Sequence, residues 1–90
     1  MSRYIIKKGS FNINIGWDAS LGYYYLFIED GEEMVWSNLD QKNAFQKDIV
    51  NYKKIIHDIV GIDLPSEVTD SLAFDRRNNT GNYEKVFELS

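Results

Sequence analysis

Apolar and polar side chains alternate along the N-terminal part of the chain with the period of two that is typical of β-strands. From Phe11 to Asp18 every second residue is apolar, and the residues between them are polar or glycine. Residues 3–7 form a shorter apolar-centred run, and Gly9 with Ser10 supplies a turn between the two. The pattern therefore predicts two strands joined by a tight turn, the second strand with one buried face.

Residues 23–28 are apolar on both faces and rich in β-forming residues, which indicates a central strand. Asp30 and Gly31 are a two-residue hairpin signal, so residues 32–36 are predicted to return as the antiparallel neighbour, with Met34 and Trp36 on one face. The two faces of the central strand carry Tyr23, Tyr25 and Phe27 on one side, and Tyr24, Leu26 and Ile28 on the other.

A helical period follows the strands. It predicts one long helix from about residue 40 to Val60, ended by Gly61, with Ser37, Asn38 and Asp40 as candidate N-caps. Asp48 is the one polar residue in its apolar arc, which comprises Ala44, Phe45, Ile49, Tyr52, Ile55, Ile56, Ile59 and Val60.

A second, short helix is predicted after the single proline. It covers about residues 67–75, is capped by Ser66, and buries Val68, Leu72 and Phe74. Residues 83–89 read as a final strand. The expected fold is α+β: an antiparallel sheet of four to five strands, an N-terminal meander plus a C-terminal strand, with one long helix on one face and a second short helix. Residues 1–90 form a single domain.

Composition narrows the functional classes. The chain has no cysteine, which excludes disulfides and thiol chemistry and agrees with a reducing, cytoplasmic location. It shows no signal-peptide pattern and no apolar run long enough to span a membrane. The net charge is −4, and acidic and basic residues are interleaved, which argues against nucleic-acid binding.

Aromatic residues cluster in the predicted meander, and only one face of its sheet can lie under the long helix. We therefore expect a small non-enzymatic module, without a cofactor or metal, that binds a protein partner or a second copy and acts by interaction, regulation or inhibition. The predicted interaction surface combines aromatic residues with an acidic hairpin: Trp17, Tyr23, Tyr25, Phe27, Trp36, Glu29, Asp30, Glu32 and Glu33.

Two alternatives stay open. A nucleic-acid-associated module would stack bases on the tyrosine-rich strand and use Arg76 and Arg77 for phosphates. A small hydrolase or metal-dependent enzyme would be built around His57, the single histidine, with Asp58 and Asp63 as the nearest acids. No nucleophile elbow or glycine-rich phosphate loop accompanies either alternative.

The segment GWDASLGYYYLFIE resembles a motif of small uncharacterised bacterial proteins, in which Gly-Trp-Asp is followed by a leucine and two aromatics that open a strand. The resemblance covers residues 16–29 and implies a compact bacterial domain with a recurring turn. We expect Gly16 to allow a close approach of neighbouring chain. Asp18 is expected to close an Asx-type turn, with Leu21 packing on Trp17 across it.

Overall fold

The computed structural model describes residues 1–38 and 48–89. Within these ranges the chain forms a sheet and two helices, in the order β1 (Ser2–Lys8), β2 (Phe11–Asp18), β3 (Tyr23–Asp30), β4 (Glu33–Ser37), α1 (Ile49–Val60), α2 (Ser66–Asn78) and β5 (Tyr83–Leu89). The α+β class and the position of every predicted strand agree with the sequence pattern.

The five strands form one mixed sheet in the order β4-β3-β2-β1-β5. The meander from β1 to β4 is antiparallel, as predicted. The prediction of an entirely antiparallel sheet is wrong for the last pair, because β5 runs parallel to β1 from the Ser2–Tyr83 pair to the Lys8–Leu89 pair. The helices carry the chain from the β4 edge to the opposite edge, and a long crossover of this kind is what a parallel pair requires.

The first helix is shorter than the sequence predicted. It begins at Ile49, after Asp48, whose extended backbone and side chain cap it by accepting the Asn51 N–H at 3.1 Å. It ends at Gly61, whose positive φ of 80° and N–H bond to the His57 carbonyl close the last turn. One continuous helix from residue 40 is therefore not observed. The proposed cap Asp40 and the apolar residues 44 and 45 lie outside the described residues.

The second helix is longer than predicted. It starts after Pro65 rather than being capped by Ser66, and it continues to Asn78. Asn79 ends it in the left-handed region, with φ of 48°. Arg76 and Arg77 occupy its last turn, where the negative end of the helix dipole stabilises their positive charge.

Both helices pack against the same face of the sheet. Tyr52 and Ile56 of α1 and Val68 and Leu72 of α2 are completely buried there, but Phe74, predicted to be buried, is 56% exposed. The sheet contributes the other half of the core through Tyr4, Ile6, Ile13, Ile15, Trp17, Tyr24, Leu26 and Ile28. The opposite side of the sheet, which we call the open face, is covered by neither helix. Among the helices that the structure describes, none has the length and apolar character needed to cross a membrane.

Candidate interaction surface

Two tryptophans of the predicted surface lie on the helix-covered face. Trp17 is 7% exposed and meets Tyr24 edge-to-face, with 5.1 Å between ring centroids. Its indole N–H donates to the Asn79 side-chain oxygen at 3.0 Å. Trp36 is half-buried and meets Tyr52 of α1 with 6.1 Å between centroids. Both rings therefore pack with the core and do not contribute to the open face.

Tyr25 points to the open face but is buried there. Its side chain crosses β2 at Gly16, its partner in the ladder, and its hydroxyl donates to the Ser2 carbonyl oxygen at 2.8 Å. A Cβ on Gly16 would lie 2.0 Å from that carbonyl oxygen and 2.6 Å from the Tyr25 hydroxyl. Glycine is therefore required at this close approach. Burial raises the pKa of Tyr25, which keeps its hydroxyl a donor.

The turn after β2 is held by Asp18. Its Oδ1 accepts the backbone N–H of Ser20 at 3.0 Å and of Leu21 at 3.1 Å, and its carbonyl accepts the Gly22 N–H at 2.7 Å. This is an Asx-type turn. Leu21 is 65% exposed, so the expected packing of Leu21 on Trp17 is wrong, and the tryptophan is held by Tyr24 and Asn79 instead.

Apolar side chains remain exposed or half-exposed on the open face. Phe27, Asn14, Ile5 and Val86 are successive neighbours across β3, β2, β1 and β5. Met34 pairs with Glu29, and a bulge in β4 separates it from Trp36. The two residues therefore lie on opposite faces of the sheet, and the prediction that they share one face is wrong. Met34 is 50% exposed and Val86 48%. We call this set the open-face patch: Ile5, Tyr23, Phe27, Met34 and Val86.

Charge is distributed unevenly around the patch. On the β5 side, Arg3 and Glu84 form an ion pair at 3.7 Å, and Lys7 lies beside Glu88 in the parallel ladder. On the β3–β4 side no basic residue of the described chain forms an ion pair with the hairpin acids. These acids, which we call the acidic hairpin, are Glu29, Asp30, Glu32 and Glu33, the last three exposed.

The residues of the nucleic-acid alternative are not brought together on one surface. Arg76 lies on the helix side, with its guanidinium 5.9 Å from the centroid of the buried Tyr24 ring. Tyr25 is buried on the opposite face. The tyrosines of β3 are thus divided between two faces by the alternation of the strand.

His57 lies at the end of α1 with its side chain 62% exposed. Its Nδ1 is 3.2 Å from Oδ1 of Asp63, which is itself 85% exposed. Within residues 1–38 and 48–89 no group of three or more potential ligands among histidine and acidic side chains comes together to hold a metal ion.

Sequence reasoning missed a concave site on the helix side. Tyr4 of β1 donates its hydroxyl to Oδ2 of Asp75 in α2 at 2.6 Å, and both residues are buried. Burial, with the hydrogen bond to this carboxylate, raises the pKa of Tyr4. No sequence pattern pairs Asp75 with Tyr4, because the two residues are seventy-one positions apart in the chain.

Comparison with known proteins gives no relative: no protein-family model, no curated protein and no solved structure matches the chain.

Proposed function

We propose that the protein is a small non-enzymatic interaction module that binds a partner protein through the open face. The partner surface carries lysine or arginine beside aliphatic or aromatic side chains. Binding regulates or inhibits the partner by covering that surface. The cysteine-free sequence makes the cytoplasm the expected location.

The observation that carries this proposal is the exposure of apolar side chains on a sheet face that neither helix covers. Met34 and Val86 are each about half exposed, and they flank the half-buried Ile5 and Phe27. Asn14 lies between Phe27 and Ile5, so the apolar side chains form one group on β3 and β4 and another on β1 and β5. Exposed apolar groups rimmed by polar residues are a common feature of protein-binding surfaces. The buried Tyr25 lies on the same face, and its hydroxyl donates to the Ser2 carbonyl oxygen.

The charge pattern supports a basic partner. The acids of the β5 side face bases of β1, whereas the acidic hairpin has no ion pair among the residues that the structure describes. Charges of this kind steer association and select partners of opposite sign. A second copy carries the same hairpin and the same net charge of −4, so long-range repulsion opposes self-association.

The test is selection of binding peptides from a random-peptide phage library. Peptides selected against the intact protein should combine Lys or Arg with apolar residues. Their affinity should fall about tenfold or more for Val86→Lys, since a lysine there adds repulsion and removes apolar contact. Val50→Lys is the matched control, because Val50 is 73% exposed on α1, away from the open face.

Three results would contradict the proposal. The first is the absence of any enriched peptide. The second is equal binding to the Val86→Lys and Val50→Lys variants. The third is a dimer in sedimentation equilibrium that Val86→Lys dissociates, since a second copy would then be the occupant of the face.

A further inference from the structure

A cleft of about 410 Å³ opens between α2 and the edge formed by β1 and β5. It is separate from the open face, because it lies on the helix side of the sheet. We propose that this cleft binds a primary ammonium or guanidinium group carried on a short apolar stem. The volume is within the range of small-ligand pockets, roughly 300–1,000 Å³.

The buried carboxylate of Asp75 is the first argument for a cation. The residue is 3% exposed and lines the cleft. Among the described residues its carboxylate receives one hydrogen bond, from Tyr4, and forms no ion pair. A buried carboxylate that lacks a charged partner is costly, and a bound cation would offset that cost.

Two bases lie near this carboxylate, and each contacts another group. Lys85 is the ladder neighbour of Tyr4 and lies on the same side of the sheet. Its ammonium pairs with Glu67 at the start of α2. The guanidinium of Arg76 lies 5.9 Å from the centroid of the Tyr24 ring. Among the described residues neither base forms an ion pair with Asp75.

Aromatic walls are the second argument. Phe74 and Tyr83 line the cleft and are 56% and 49% exposed. The Tyr83 ring packs beside the buried Tyr4 ring, with 5.9 Å between their centroids. Ring faces attract a cation and also accommodate an aliphatic stem. The combination of a buried carboxylate with aromatic walls selects a cation on an apolar stem over a hydrated metal ion.

Polar residues of the lining can orient such a ligand. Ser71, Thr80 and the exposed Asp70 all line the cleft, and each carries an oxygen acceptor in its side chain. A primary ammonium has three donors and a guanidinium five, so either group can use these acceptors in addition to Asp75.

The test is a ¹H–¹⁵N NMR titration of the full chain. Butylamine and agmatine represent free cations, and N-acetyl-lysine methylamide and N-acetyl-arginine methylamide represent side chains of a peptide. Butanol and butyrate are the neutral and anionic controls. We expect saturable shifts at Phe74, Thr80 and Tyr83 with the cations only. The better-binding pair identifies whether the source is a free amine or a peptide.

Asp75→Asn keeps the shape and an acceptor for Tyr4 but removes the charge, so the affinity for the cations should fall about tenfold or more. Asp58→Asn, an exposed change on α1, should leave it unchanged. Tyr83→Leu, at a half-exposed residue, should weaken binding about two- to fivefold and provides the test if Asp75→Asn does not fold. Equal binding of butanol, full affinity in both cleft variants, or no saturable shift with any cation would overturn the proposal.

This inference does not depend on the open face. The Val86→Lys variant should bind butylamine normally, and Asp75→Asn should retain the peptides selected on the open face. Failure of one proposal is therefore distinguishable from failure of the other.

Discussion

Tyr25 on β3 lies across Gly16 on β2, and the missing side chain of the glycine is the space that the tyrosine occupies. The side chain passes over β2, and its hydroxyl reaches the Ser2 carbonyl on β1. One side chain thus joins three strands on the face that neither α1 nor α2 covers. This contact explains why the open-face position 16 of β2 is a glycine.

Gly16→Ala should destabilise the protein by about 3 kcal/mol, because the new Cβ would overlap the backbone oxygen of Ser2 and the Tyr25 ring. Urea denaturation measures this change. Gly81→Ala is the matched control, because a Cβ at that position would have no atom within 4 Å and its φ is not positive. The control should change stability by less than about 0.5 kcal/mol. Equal effects of the two substitutions would show that the contact at Gly16 is not close.

Tyr25→Phe should cost about 1 kcal/mol, since it leaves the ring in place and removes the hydrogen bond to Ser2. The free energy of unfolding from urea curves gives the measurement. Tyr83→Phe, at a residue 49% exposed, should cost less than half as much. A Tyr25→Phe variant as stable as the wild type would mean that the hydroxyl contributes nothing to the joint between the strands.

Asp18→Ala should cost about 1 kcal/mol or more, because the N–H groups of Ser20 and Leu21 lose their acceptor. Asp18→Asn keeps an oxygen in the same place and should be close to the wild type. The midpoint of thermal unfolding distinguishes the two variants. If Asp18→Ala leaves that midpoint unchanged, the turn is not held by the aspartate.

Stability should fall at alkaline pH. Burial raises the pKa of Tyr52 to about 12, whereas an unfolded tyrosine titrates near about 10. The unfolded state therefore loses its proton first, so this contribution is complete below about pH 10 and is lost as the pH rises towards 12. Between these pH values the free energy of unfolding should fall by about 1.4 kcal/mol per pH unit for each such tyrosine. Urea unfolding at several pH values should give Tyr52→Phe a shallower slope by that amount; an identical slope would contradict the assignment.

The strands were predictable because alternation marks a half-buried sheet. Trp17 has the same parity as Ile13 and Ile15, so the period of two already placed it on the covered face. Its place in the predicted surface follows from the clustering of aromatic residues in the meander, which does not distinguish the two faces of the sheet. The bulge that turns Met34 away from the face of Trp36 leaves no such signal, because the extra residue interrupts the alternation.

The start of α1 has a signal in the sequence that a helical period alone does not show. Asp48 was the one polar residue in the apolar arc, and it is the residue at which α1 begins. A short acidic side chain competes with the helix interior for backbone N–H groups and favours a cap. The parallel direction of β5 has no signal in its own residues, since a strand reads the same in either direction. The pairing of Tyr4 with Asp75 depends on that topology and therefore could not be predicted from the sequence.

The central claim is that the open face is the docking surface, and an NMR footprint tests it most directly. A selected basic peptide is titrated into the ¹⁵N-labelled protein, and the perturbed amides are mapped. We expect the largest shifts at Ile5, Phe27 and Val86 and along the acidic hairpin, with α1 and α2 unchanged. Shifts concentrated on α2 around Phe74 and Asp75, with the open face unperturbed, would contradict the claim.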